Sequence, residues 1–78
     1  MTTFHLRKTN SPGSNPRVVD WIATFDDDTG ICTSCTTIEG KPSPAFLGRD
    51  IDFIDRWLNI GKVDGVAYHE IVDDLSTD

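Results

Sequence analysis

Between residues 17 and 25 the chain reads RVVDWIATF, and its side chains divide with a period of two. Val19, Trp21, Ala23 and Phe25 share one side, and Val18, Asp20, Ile22 and Thr24 the other, which predicts a strand. FHLRKT, 4–9, alternates likewise, setting Phe4, Leu6 and Lys8 against His5, Arg7 and Thr9. NSPGSNP, 10–16, carries Pro12, Gly13 and Pro16 and predicts a loop between these strands. DDDTG, 26–30, predicts a turn with Gly30 at positive φ. ICTSCTTIE, 31–39, is rich in β-branched residues and predicts the returning strand of a hairpin. The prolines of GKPSP, 40–44, end the sheet.

At Asp50 the period changes. Along RDIDFIDRWLNIG, 49–61, Ile51, Phe53, Ile54, Trp57, Leu58 and Ile60 fall within about half a helix circumference. Asp52, Asp55, Arg56 and Asn59 take the opposite arc, Asp50 suits a cap, and Gly61 supplies a stop. A second helix is predicted after Asp64 through GVAYHEIVDDL, with Ala67, Tyr68, Ile71, Val72 and Leu75 as its core stripe. The expected architecture is a single α+β domain spanning 1–78. A three-stranded antiparallel meander over 4–39 carries two helices, within 50–75, packed on one face. Trp57, Phe53, Ile54 and Ile51 are expected to lie on that sheet above Trp21 or Ile22.

At 78 residues the chain is near the size where one core is barely sufficient. Two Trp, four Phe and one Tyr therefore supply much of the available burial. No apolar run has the length of a membrane span and no leader opens the chain, so a soluble intracellular protein is expected. Charge sharpens the picture further. The net charge is −6, and residues 50–78 hold eight acids against two bases, Arg56 and Lys62. Residues 1–20 have the reverse balance, with Arg7, Lys8 and Arg17 against Asp20. Direct binding to nucleic acid is disfavoured, because phosphate demands a cationic surface. A basic partner suits this surface better.

Candidate chemistry narrows quickly. Cys32 and Cys35 make a C-x-x-C pair, which raises redox and zinc readings. In a regular strand, however, residues three apart point to opposite faces, and only His5 and His69 remain to complete a zinc site. Buried structural cysteines are the favoured account. Asp26, Asp27 and Asp28 do not fit a calcium loop, since Ile31 stands where that loop needs glycine. No P-loop, dinucleotide fingerprint or catalytic triad spacing is present, and neither a catalytic residue, a metal nor a cofactor is expected.

The acids of the two predicted helices differ in their physical setting. Asp50 and Asp52 sit at a helix N-terminus, where the dipole favours them, and Asp52 precedes Arg56 by four residues. In the second predicted helix Asp73 and Asp74 fall in the last turn against the dipole, and Glu70 and Asp74 repel at i,i+4. An acid cluster that folding disfavours is the better binding candidate. Glu70, Asp73 and Asp74 are therefore the first partner-binding candidates, followed by Asp52 and Asp55.

With the hairpin VVDWIATFDDDTGICTSCTTIE, the amphipathic RDIDFIDRWLNIG and the acidic HEIVDDLSTD, the chain resembles small phage-encoded anti-CRISPR proteins in size, charge and build. That resemblance implies a non-enzymatic inhibitor in the cytoplasm of a bacterial host cell. Its carboxylates would stand where phosphates lie in the basic channel of a CRISPR surveillance complex or another nucleic-acid-binding host protein. A C-x-x-C redox or zinc module and a self-associating structural or assembly protein are the alternatives.

Overall fold

The structure is a computed structural model that describes residues 1–10 and 17–76. Beyond Asn10, the loop expected at 10–16 lies outside the described residues. Among the described residues, six strands and a single helix follow in the order β1 (Thr2–Asn10), β2 (Arg17–Phe25), β3 (Cys32–Thr37), α1 (Asp52–Ile60), β4 (Lys62–Val63), β5 (Val66–Ala67) and β6 (His69–Asp74). Four strands form one antiparallel sheet in the order β3-β2-β1-β6, and β4 and β5 form a separate two-stranded hairpin.

The expected three strands with two helices are thus corrected to a mostly β architecture with one short helix. The second helix does not form. Its residues instead supply β5 and β6, and β6 pairs with the free side of β1. Local chemistry explains the choice. Asp64 (φ 51°) and Gly65 (φ 80°) provide the paired positive φ of a tight type I′ hairpin, which turns the chain from β4 into β5. The following segment is rich in β-branched residues, namely Val66, Ile71 and Val72. A short isolated helix there would also have set Glu70 against Asp74.

The β2–β3 turn forms as the sequence predicts, with Gly30 at φ 73°. Asp26 organises it. Its Oδ1 accepts from Asp28 N–H (2.7 Å) and Thr29 N–H (3.2 Å), and its carbonyl from Gly30 N–H (2.8 Å). Helix α1 forms where the period of 3.6 placed it. Asp50 Oδ1 accepts from Asp52 N–H at 2.7 Å, so Asp50 does the work of a cap although Ile51 holds the N-cap position and its side chain makes no cap bond.

The core lies between α1 and one face of the sheet. Leu6, Ala23, Phe25, Cys32, Cys35, Phe46, Ile54 and Trp57 are its buried members. Trp21 lies beneath Trp57, ring centroids 6.2 Å apart and nearly perpendicular, whereas Ile22 belongs to the other face. Phe46 comes from the connection between β3 and α1 and is 1% exposed. It packs edge-on against both Trp21 (5.4 Å) and Trp57 (5.1 Å), making that connection part of the core. Among the described residues, the opposite face of the sheet carries no helix.

The cysteines required a second correction. Cys32 and Cys35 do not point to opposite faces; both are buried in the core. A β-bulge is the reason. Thr24 pairs with Ser34 and Phe25 with Cys32, so Thr33 is an extra residue that rotates the strand back into phase.

Candidate binding surface

On the open face, cross-strand pairing gathers polar groups that are distant in sequence. Arg7 lies opposite Asp20 on β2 and opposite Glu70 on β6. Its guanidinium grips Asp20 in two places, Nε to Oδ1 at 2.8 Å and Nη2 to Oδ2 at 3.1 Å. Nη1 lies a looser 3.9 Å from Glu70 Oε1. His5 Nε2 stands 3.1 Å from Asp20 Oδ2 but is not aligned to hydrogen-bond, so that buried nitrogen has an electrostatic neighbour and no partner. Arg7, helped by His5, holds the Asp20 carboxyl below the usual carboxylate range against the opposing effect of burial. Thr3 and Thr24 hydroxyls close the row at 3.1 Å from each other. This cluster ties β1, β2 and β6 together. The alternation of His5 with Arg7 and of Asp20 with Ile22 was visible in the sequence, but their pairing needed the register.

The five predicted partner-binding acids divide between layers. Glu70 and Asp73 register with Arg7 and His5, which puts them on the open sheet face. Asp74 registers with Phe4 and so belongs to the helix side. A bulge between His5 and Leu6 leaves Val72 as the extra residue and changes the phase of the strand. Asp74 Oδ1 accepts from Ser76 N–H at 2.9 Å, and this bonding to Ser76 lowers the carboxyl's pKa. All three are exposed, as are Asp52 and Asp55 on the outer arc of α1. The structure therefore unites Glu70, Asp73 and Asp74 along one edge strand but leaves Asp52 and Asp55 in the helical layer.

The setting inferred for these acids changes accordingly. Asp73 and Asp74 oppose no helix dipole, because they are in a strand. The expected Asp52–Arg56 ion pair is absent among the described residues. Both residues instead border an open cleft of about 320 Å³ at the start of α1, together with Arg49, Asp50 and Phe53. Arg49 lies over the Phe53 ring at 4.9 Å. The cleft carries both signs of charge in equal number and selects neither.

Cys32 and Cys35 form no disulfide, and burial pushes the Cys32 thiol upward, away from the reactive thiolate. They register with Phe25 and Ala23, two residues apart on β2, so their Cα atoms are separated by roughly 7 Å of strand. That is at the outer limit for a disulfide without backbone movement. No group of three or more potential metal ligands occurs among the described residues. No helix among them is long and apolar enough to cross a membrane. Compared with known proteins, the chain matches no family, no curated protein and no solved structure.

Proposed function

We propose that this is a non-catalytic inhibitory binding protein that acts in the bacterial cytoplasm on a basic nucleic-acid-handling protein. The observation that carries the reading is the acidic edge of the sheet. Glu70, Asp73 and Asp74 lie exposed along β6, a strand with no Lys or Arg of its own. Oppositely charged surfaces steer association and fix its register. Arginines of a nucleic-acid channel suit such carboxylates, since the guanidinium fork can hold one in two places. Asp52 and Asp55 add to the negative field from the helical layer without sharing the contact surface.

The resemblance in size and charge to anti-CRISPR proteins makes a CRISPR surveillance complex the first target to test. Purified protein would be titrated against an immobilised surveillance complex in competition with its target DNA. Displacement of DNA by the parent, and roughly tenfold weaker displacement by Asp73→Lys, is the expected result. Equal displacement by parent and variant would remove the acidic edge from the mechanism. Failure of the parent to bind any guide-loaded complex would move the target to another class of basic protein.

A further inference from the structure

The two edges of the main sheet are finished differently. The outer side of β3 is closed by the connection that follows it. Thr37 N–H donates to Lys41 O (2.8 Å), Ser43 N–H to Cys35 O (3.0 Å), Gly48 N–H to Cys32 O (2.9 Å) and Cys32 N–H to Arg49 O (2.7 Å). Thr36 also bridges Pro42. An incoming strand has no place there.

The β6 edge lacks such a cover among the described residues. Tyr68 N–H donates to Gly61 O (2.7 Å) just before the strand begins, and from His69 onward β6 pairs with β1 alone. The outward groups can be identified from the ladder. Thr9 N–H donates to Tyr68 O and Leu75 N–H to Thr3 O, each at 2.8 Å. Lys8–His69 and Phe4–Asp74 are consequently non-hydrogen-bonded pairs, and alternation from the first makes Leu6–Ile71 another. In such pairs the backbone N–H and C=O point away from the partner strand. Ile71 and Asp74 thus present free main-chain donors and acceptors along the open edge.

We propose that this edge accepts an extended basic segment of the partner protein as a fifth strand, a binding mode that rests on the function proposed above. Main-chain hydrogen bonds would supply the common part of recognition, and the side chains its selectivity. On the open sheet face the added strand would meet Glu70 and Asp73, which call for Lys or Arg. On the helix side it would meet Ile71, which is 40% exposed and calls for an apolar or β-branched neighbour. The matching segment alternates basic with β-branched residues.

A second copy is a poor occupant. Pairing β6 with itself sets Glu70, Asp73 and Asp74 of one molecule against the same acids of the other. Edge charges and bulges are devices by which sheets avoid self-association. Here they reject another acidic strand and leave a basic one welcome.

Three synthetic peptides decide the matter: Arg alternating with Val and Thr, the same sequence with Glu replacing Arg, and an Arg-rich peptide interrupted by glycines. The alternating basic peptide is expected to bind and slow amide exchange at Ile71 and Asp74 by roughly tenfold or more, leaving β3 unchanged. The Glu peptide should not bind. Ile71→Pro removes an outward donor without removing a β1–β6 hydrogen bond, and should weaken binding while far-UV circular dichroism is retained. Should that variant unfold, protection of Ile71 and Asp74 in the parent still decides the binding mode. Equal binding of both Arg peptides without protection would overturn the strand mode while leaving the acidic-surface function standing. Failure of both Arg peptides to bind would overturn both. Concentration-dependent dimerisation that protects the same amides would make a second copy the occupant and overturn the proposal.

Discussion

Gly61 is needed for the space it leaves, since its φ of −77° is open to any residue. A Cβ there would collide with Cβ and Cγ of His69. The His69 ring cannot retreat cheaply, because it stacks on the Trp57 indole at 4.3 Å and 11°. Its Nδ1 also donates to the Trp57 carbonyl at 2.6 Å, meeting one of the last acceptors of α1. Gly61→Ala is therefore expected to cost about 1–3 kcal/mol, measured as a lower Tm together with altered tryptophan fluorescence. The sequence offered Gly61 as a helix stop, and it is one; the need for room came only from His69 approaching across the chain. Asp20 carries a second prediction. Its folded pKa is lowered chiefly by the hydrogen bonds from Arg7, so its contribution to stability is present above the unfolded value of about 3.9 and fades as pH falls through the folded one. Unfolding measured from pH 6 downward should show an acid-side loss of stability, and Asp20→Asn should flatten it. Some slope should remain, because Asp27 beside the N-terminal amine and Asp74 beside Ser76 are lowered too.

Helix α1 was legible because its apolar residues recur at the helical period and its acids gather at the start. Trp57, 8% exposed, is the element's anchor, touching Trp21, Phe46 and His69. Trp57→Ala should cost about 3–5 kcal/mol, a large share of the roughly 5–15 kcal/mol that holds a domain together. A urea titration checks this, and a midpoint near the parent's would show that Trp57 anchors little. β6 was not legible, because its apolar residues fit both periods. Ala67, Tyr68, Ile71, Val72 and Leu75 satisfy a helical spacing, yet that helix carried two acids against its dipole and a like-charge i,i+4 pair. The same costs that single these acids out as binding candidates on a helix tell equally against the helix. The deciding forces were the Asp64–Gly65 turn and the unpaired side of β1, of which the second is a long-range matter. Burial of Cys32 and Cys35 was legible, but their sharing one face was not, since a bulge at Thr33 resets the two-residue period without a glycine or proline to announce it. Phe46 was legible only as a large aromatic after a proline-rich loop, and nothing local showed that this loop returns over the core.

At the scale of the molecule, the concentration of acids after residue 50 was plain in the sequence, but their division between two layers was not. One set lies on the helix that covers the sheet, and the other runs along the sheet's open edge. This division allows folding and binding to be tested apart. Reversing Asp52 and Asp55 to Lys removes negative charge from the first turn of α1, where the dipole favours it, and should cost about 0.3–1 kcal/mol each. The Asp73 side chain makes no ion pair among the described residues and is exposed, so Asp73→Lys should leave stability nearly unchanged. Glu70→Lys is less informative, because it would bring a second cation beside Arg7. Binding to a basic partner should respond in the opposite order, with Asp73→Lys weakening it roughly tenfold and the α1 reversals changing mainly the association rate. That rate effect should vanish as salt rises, since attraction from the helical layer is screened beyond about 10 Å at 0.1 M. A contact at the β6 edge is short-ranged and should keep a larger part of its effect. Parallel measurements of Tm, association rate and dissociation rate at two salt concentrations separate the layers. Equal and negligible binding effects from both reversals would reduce every one of these acids to a solvated surface.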